Sequence, residues 1–391
     1  MIDSNLLLFF VVILVAFVFG EIFYRFNLPR SIGQILAGLV LGLPFYSGFF
    51  SLENNPMILL LSELGIIFLL ILTGLEIDLK RIRECSKDVL LIAVFSVLIP
   101  FVLGFVFVFV VWKSLIFAFI VGAALSVTSE ATKSIVLMQK NVLQTKLGET
   151  MVLAGAVDDI FELLFLSVLL VFVGENSGQN LVFFPFEVIG FFVAVFIALK
   201  LLPRIIGLFK QDSDDGYFTL ALLVALGLAF LSSMLSLGTI IGALIAGLLL
   251  QKAIKSEQTE HAIENHLRVL TFALVIPFFH LHIGLMFDAG SIVLYPFVML
   301  AILFIAFAGK MAGALIVKPF SSLELKQLML VGWGMNSRGF MELVMLAVVM
   351  KQAIGFPVEL YSAIVFMTIV TTIAFPLALN YYLKKYPYIM H

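Results

Sequence analysis

The sequence predicts an all-α, polytopic membrane protein of thirteen transmembrane helices, and three observations carry that prediction. Of 391 residues, 62% are hydrophobic and only 12% are charged, about half the charged share of an ordinary soluble domain. The apolar residues gather in runs of bilayer length, about 20 residues at 1.5 Å rise. The basic residues collect in alternate connections between those runs. The net charge of −2 gives no basis for a nucleic-acid partner, and the single cysteine, Cys85, excludes an internal disulfide or a cysteine-based metal cluster. No cofactor motif is present, and the 41 phenylalanines read as lipid-facing and core packing.

Breaks at charges, glycines and prolines place the helices at 5–24, 31–45, 57–77, 87–111, 114–139, 148–174, 182–208, 217–236, 238–254, 267–288, 291–318, 324–352 and 357–383. The first has no basic stretch ahead of it and carries Asp3, which favours a retained helix over a cleaved leader. The second and ninth are short and glycine-rich, as close packing or a broken helix requires.

With the N-terminus outside, one side of the membrane receives Arg25 and Arg30; Lys80, Arg81, Arg83 and Lys87; Lys140 and Lys146; Lys200, Arg204 and Lys210. The same side receives Lys252, Lys255 and Arg268; Lys318 and Lys326; Lys384 and Lys385, whereas Lys113 and Lys351 fall opposite. That bias sets the N-terminus outside and the C-terminus in the cytoplasm, and an inner (plasma) membrane location is expected. Lys133, Lys310 and Arg338 remain, inside predicted helices.

The chain also repeats itself. Gly33-Gln34-Ile35-Leu36-Ala37-Gly38-Leu39 matches Gly242-Ala243-Leu244-Ile245-Ala246-Gly247-Leu248 at an offset of 209. Phe68…Gly74-Leu75-Glu76-Ile77-Asp78 matches Phe278…Gly284-Leu285-Met286-Phe287-Asp288 at 210. The copies lie seven helices apart, an odd number, so they enter the membrane in opposite senses, as in transporters with a site at the midplane. Helices 1–6 and 8–13 are then two inverted six-helix repeats, with helix 7 as linker.

Chemistry concentrates in the sixth helix, where Asp158 and Asp159 sit about ten residues in. A charge at that depth costs at least ~2.5–3.5 kcal/mol. Glu162 follows Asp158 by four residues and Asp159 by three, on a shared face. In the fifth helix the run Ser126-Val127-Thr128-Ser129-Glu130-Ala131-Thr132-Lys133-Ser134 interrupts an apolar segment. Shifted by 209 it lands on Met335-Asn336-Ser337-Arg338-Gly339-Phe340-Met341-Glu342-Leu343. Unwound backbone is tolerated at membrane depth only against protein or a polar cavity, so two broken helices crossing beside the acids are expected. Their carbonyls and hydroxyls are hard oxygen ligands for a small cation.

Five embedded acids, Glu130, Asp158, Asp159, Glu162 and Glu342, face three bases, leaving two positive charges for protons or cations to supply. Glu130 with Lys133, and Arg338 with Glu342, have the spacing of structural pairs; Lys310 has no local acid. Transport of a small cation is the first reading of the acidic pair, against a structural ion pair with Lys310 or Arg338. Thr128 and Ser129 read either as ligands or as backbone-bonded hydroxyls. Glu162 is a third ligand or a cavity-mouth acid, and His280 and His282 read as helix packing ahead of pH sensing.

These residues together resemble the membrane domain of the monovalent cation:proton antiporter-2 family, in its sodium/proton branch. The resemblance covers nearly the whole chain: Ile32 to Gly42, Leu64 to Asp78, Thr128-Ser129, Asp158-Asp159, Gly242 to Leu249, Pro277 to Asp288, and Ser337-Arg338-Gly339…Glu342. It implies a homodimer in the lipid bilayer, with scaffold helices in 1–86 and 213–290, mobile core helices in 87–174 and 291–391, and a linker at 175–212. Asp159 would be the main ligand for Na⁺, Asp158 a second ligand that pairs with Lys310 when no ion is bound, and Thr128-Ser129 would sit at the crossing. Glu130 and Lys133 depart from that pattern by charging the crossing, and Glu162 by adding an acid beyond the pair. No nucleotide-binding regulatory domain of the kind that potassium-efflux relatives append is expected.

The function that follows is antiport of Na⁺ (or Li⁺) against H⁺ by alternating access, with a role in pH homeostasis. It is expected to be electrogenic, because two acids and a lysine offer two exchangeable protons. Exchange of K⁺ for H⁺ and sodium-coupled organic-acid symport are the neighbouring readings. An intramembrane aspartyl protease is remote, since two carboxylates adjacent on one helix point about 100° apart and cannot flank a peptide.

Overall fold

The computed structural model describes residues 4–26, 28–43, 55–76, 85–173, 184–206, 214–235, 238–254, 257–352, 354–386 and 388–390. Lys80, Arg81, Arg83, Lys210 and Lys255, the repeat residues Ile77 and Asp78, and the domain boundaries at 174–175 and 212–213 lie outside the described residues.

The described elements are helical. They run α1 (Ser4–Arg25), α2 (Arg30–Gly42), α3 (Pro56–Glu76), α4 (Lys87–Trp112), α5 (Leu115–Ser126), α6 (Glu130–Gln139), α7 (Lys146–Val173), α8 (Phe184–Ile206) and α9 (Asp214–Met234). Then follow α10 (Thr239–Ala253), α11 (Glu257–Leu270), a π-helical turn Thr271–Val275, α12 (Ile276–Leu285), α13 (Gly290–Leu294), α14 (Pro296–Leu315), a 3₁₀ turn Lys318–Phe320, α15 (Leu325–Met335), α16 (Met341–Lys351) and α17 (Val358–Lys385). Among the described residues, seven stretches are long and apolar enough to cross a membrane: Asn5–Arg25, Pro56–Glu76, Lys87–Trp112, Gly216–Met234, His261–Leu285, Pro296–Phe320 and Val358–Lys385.

The interrupted helices fall short of that length for a visible reason. α5 and α6 have 12 and 10 residues and α15 and α16 have 11 each, so each half reaches only about 15–18 Å at 1.5 Å per residue. The interruptions stand at Val127–Ser129 and Asn336–Phe340, within the two polar runs of the sequence. Serines mark the starts: Ser86 accepts from the Val89 N–H, Ser114 from Phe117 and Ser129 from Thr132, the usual side-chain satisfaction of a helix's first amides.

Two segments differ from their sequence-based bounds. The tenth helix, expected at 267–288, begins at Glu257. Its first turns are polar and escape a reading based on apolar runs; Arg268 holds them by bonds of 2.6 Å to both Glu264 and Glu76. The eleventh, expected to be unbroken from 291, is interrupted at Tyr295 because Pro296 begins a new helix.

The chain divides into two compact units. The first draws on residues 1–16, 50–77 and 170–282, the second on 17–49, 78–169 and 283–391. In the first, α10 packs along α3 and α9. In the second, α4 packs against α5 and α14, and α17 lies along α14. The stacked pair Phe101–Phe165, 4.8 Å between centroids and 3° apart in plane, joins α4 to α7.

Glycines set these approaches. A Cβ on Gly309 would stand 2.8 Å from Pro100 of α4, and one on Gly313 2.6 Å from Ser96 Cα, so α14 lies against α4 through a small-xxx-small face. The repeat glycines behave alike. Gly33 abuts Phe19 and Gly20, whereas Gly242 abuts Leu228 and Ala229; Gly74 abuts Leu244, Gly247 and Leu248, whereas Gly284 abuts Ile35, Gly38 and Leu39. Each contact maps onto its counterpart at the offset of 209 or 210.

Overpacking a tight helix contact costs about 1–3 kcal/mol. Gly309→Val and Gly313→Val should therefore lower the thermal midpoint in detergent. Gly190→Ala and Gly227→Ala, where a Cβ meets nothing within 4 Å, should leave it within a degree or two. Equal behaviour of the two sets in a fluorescence melt would contradict this packing.

Candidate functional site

The second unit brings the polar residues of α5–α7, α14, the second break and α17 together. The two helix breaks touch. Ser129 N–H donates to Ser337 O at 2.9 Å and the Thr128 hydroxyl donates to Met335 O at 3.0 Å. Gly339 permits that approach, because a Cβ there would collide with the Ser129 side chain.

The ends of the half-helices need opposite charges, since their last carbonyls and first amides are unsatisfied and carry the helix dipole. Arg338 meets the end of α5: its guanidinium donates to the carbonyls of Ala124 at 3.2 Å and Leu125 at 2.5 Å, and to that of Val127. Glu342 meets the start of α16, accepting from the Gly339 N–H and the Thr368 hydroxyl at 3.1 Å each. Glu162 accepts from the Thr128 N–H at 3.1 Å. Arg338 and Glu342, whose spacing suggested a pair, form no ion pair with each other among the described residues. Arg338 stands in the break, outside α16, so the helical i, i+4 geometry does not apply to it.

At the crossing, Lys310 of α14 forms an ion pair with Asp158 of α7, Nζ to Oδ2 3.1 Å, with both side chains wholly buried. The same ammonium donates to Thr128 Oγ1 at 2.6 Å. The second oxygen of Asp158, Oδ1, has no hydrogen-bond partner among the described residues; nor have Asn336 Oδ1 and Ser337 Oγ, both buried. Asp159, about 100° further round α7, is partly exposed and lies within hydrogen-bonding reach of the Glu130 side chain. Lys133 is wholly buried, its ammonium 3.7 Å from Met335 Sδ.

The sequence-derived residues Thr128, Asp158 and Lys310 thus meet directly. Ser129, Glu162, Arg338 and Glu342 hold the breaks, and Glu130, Lys133 and Asp159 share the adjoining face of α6 and α7. Thr368 and Thr372 of α17 also support the second break, though they did not stand out in the sequence. Thr372 donates to Arg338 O at 3.3 Å. The spacing of Thr368, Thr371 and Thr372 on one face of α17 was a signal for them. His280 is buried beside Phe279, ring centroids 5.5 Å apart.

This geometry defines a multi-pass helical membrane protein with two interrupted helices meeting at a buried acid–lysine pair. The chain belongs to the sodium/hydrogen exchanger transmembrane family, whose model matches residues 9–385. It is 31% identical to a Na⁺/H⁺ antiporter of Enterococcus hirae, covering 95% of this chain and 97% of that protein. It is 30% identical to the Na⁺/H⁺ antiporter NhaS4 of Synechocystis sp., covering 95% and 96%. The solved structure of the sodium proton antiporter MjNhaP1 from Methanocaldococcus jannaschii shares the fold, with a TM-score of 0.69 over 96% of this chain and 95% of that one, at 17% identity.

Removing the Arg338 guanidinium leaves three buried carbonyls unsatisfied, at about 1–3 kcal/mol each. Arg268, half exposed, makes surface pairs worth about 0–1 kcal/mol. Arg338→Ala should lower the melting midpoint several times more than Arg268→Ala, and Arg338→Lys, which lacks the fork, should recover only part of the loss.

Proposed function

We propose that this chain exchanges Na⁺ (or Li⁺) for H⁺ by alternating access, with Asp158 and Asp159 as the shared cation and proton site. The observation that carries the proposal is the Lys310 ammonium, which bridges Asp158 and Thr128 where the two breaks cross. It is a tethered cation resting on the carboxylate that a free cation would use, and Asp158 Oδ1 remains for coordination. Na⁺ arriving at Asp159 and Asp158 takes over the carboxylate held by Lys310, and protons leave as it binds. The hydroxyls and carbonyls of Thr128 and Ser129 complete an oxygen-rich shell of the kind hard cations take. The relatives named Na⁺/H⁺ antiporters at 30–31% identity support the choice of ion.

The wider reading includes thirteen helices in two inverted repeats, supported by the glycine contacts repeated at 209 and 210. It also includes core helices of 87–174 and 291–391 moving against a homodimeric scaffold of 1–86 and 213–290, with 175–212 as linker. The protein sits in the plasma membrane with its N-terminus outside and its C-terminus in the cytoplasm.

Exchange is electrogenic in this proposal: Lys310, displaced by Na⁺, gives up a proton along with one from the acids, and net charge crosses per cycle. Each elementary charge is worth about 2.3 kcal/mol per 100 mV.

Dye-monitored proton flux in proteoliposomes tests the reading, with Na⁺, Li⁺ and K⁺ compared. Wild type should respond to Na⁺ and Li⁺, and Asp159→Asn should lose exchange while remaining folded; wild-type rates in that variant would refute the site. Apparent Na⁺ affinity should weaken as pH falls, because protons occupy the carboxylates that Na⁺ needs. With the potential clamped by valinomycin and K⁺, wild-type exchange should follow the voltage and Lys310→Gln should lose that dependence. Voltage-independent wild-type exchange would rule out the electrogenic form.

A further inference from the structure

The crossing holds a second lysine that the exchange so far described leaves unused. Lys133, in the first turns of α6, is wholly buried. Its ammonium has one hydrogen-bond partner among the described residues, the Met335 thioether at 3.7 Å, a weak acceptor. The ammonium rests on Gly155 of α7, where a Cβ would stand 2.6 Å from Nζ and 3.3 Å from Cε. Glycine is therefore what leaves room for it.

Gly155 lies one turn ahead of Asp159. Helical side chains lean towards the N-terminus, so Asp159 overhangs the turn on which the Lys133 ammonium rests. Glu130, one turn ahead of Lys133 on α6, closes the same niche. Its Cβ lies 3.4 Å from where a Gly155 Cβ would stand, and its side chain reaches Asp159. A buried ammonium held by a thioether is costly, and an apolar side chain of equal length would serve stability better. Packing alone gives no reason for a lysine here.

We propose that Lys133 is a resident cation on the Asp159 side of the site, as Lys310 is on the Asp158 side, and that it sets the affinity for the transported cation. Glu130 supplies the opposing charge. The inference rests on the proposed cation exchange at Asp158 and Asp159. Its physics is the sign of Coulomb's law: a fixed positive charge beside the carboxylates weakens binding of a further cation, and a fixed negative charge strengthens it. Lys133 and Glu130 are positioning residues in this scheme, because they tune the field at Asp159 without carrying the ion.

The test is a double-mutant cycle on the full-length protein. Wild type, Lys133→Met, Glu130→Gln and the double variant are compared at one pH for the Na⁺ KM and kcat in proteoliposomes. Equilibrium binding of ²²Na⁺ in detergent provides a readout independent of turnover. Lys133→Met should tighten Na⁺ binding and lower KM by roughly tenfold or more, since at an effective dielectric of about 20 a unit charge is worth a factor of ten at about 12 Å and more when nearer. Glu130→Gln should weaken both by a similar factor, and the double variant should return near wild type. Opposed, compensating shifts of that kind do not arise from loosened packing. Lys133→Gln, which keeps a polar head, should shift in the same direction as Lys133→Met and serves if the methionine variant does not fold. Unchanged Na⁺ affinity in folded Lys133 variants, beside a working wild type, would overturn this assignment alone. A wild type that exchanges no alkali cation would overturn the functional reading beneath it.

Discussion

A lysine and an aspartate, wholly buried and 3.1 Å apart, hold the centre of this protein together. Charges placed at that depth are tolerated only in company, and removing one partner of a buried pair costs about 3–5 kcal/mol because the other is stranded. Lys310 and Asp158 come from helices far apart in sequence, so their meeting fixes α14 against α7. The third member, Thr128, can reach the ammonium only because the fifth helical segment is interrupted at its position.

The interruption in turn has to be stabilised. Free carbonyls at the end of α5 and free amides at the starts of α6 and α16 would each be costly away from water. Arg338 answers the carbonyls, and Glu342, Glu162 and Ser129 answer amides. Arg338 and Glu342, four residues apart, each turn to backbone groups instead of to one another. Glycines then decide whether the parts can approach: Gly339 lets one break lie on the other, and Gly309 and Gly313 seat the lysine-bearing helix on α4. Ion pair, helix ends and glycine contacts form one chain of dependence, and the oxygen-rich crossing is its product.

Much of this was legible in the sequence because lipid penalises polarity so strongly. Asp158, Asp159, Lys310 and Arg338 stand out in apolar runs where each must have a reason, and the polar runs marked both breaks. What was not legible was which group each charge would meet. Arg338 and Glu342 are four residues apart and look like a helical pair, but the break takes Arg338 out of the helix. Gly155 carried no local signal, since a glycine in a helix acquires meaning only from the neighbour packed against it. The polar start of the tenth helix was hidden for a related reason: Glu257 to Arg268 is helical without being apolar, and its partner Glu76 lies on another helix.

The central claim is that the transported cation and Lys310 contend for Asp158. A structure determined at saturating Na⁺ and alkaline pH tests it most directly. The expected result is an ion at Asp158 and Asp159, with Lys310 Nζ withdrawn from Asp158 Oδ2 beyond the 4 Å of an ion pair. An intact contact near 3.1 Å, with Na⁺ bound elsewhere, would contradict it.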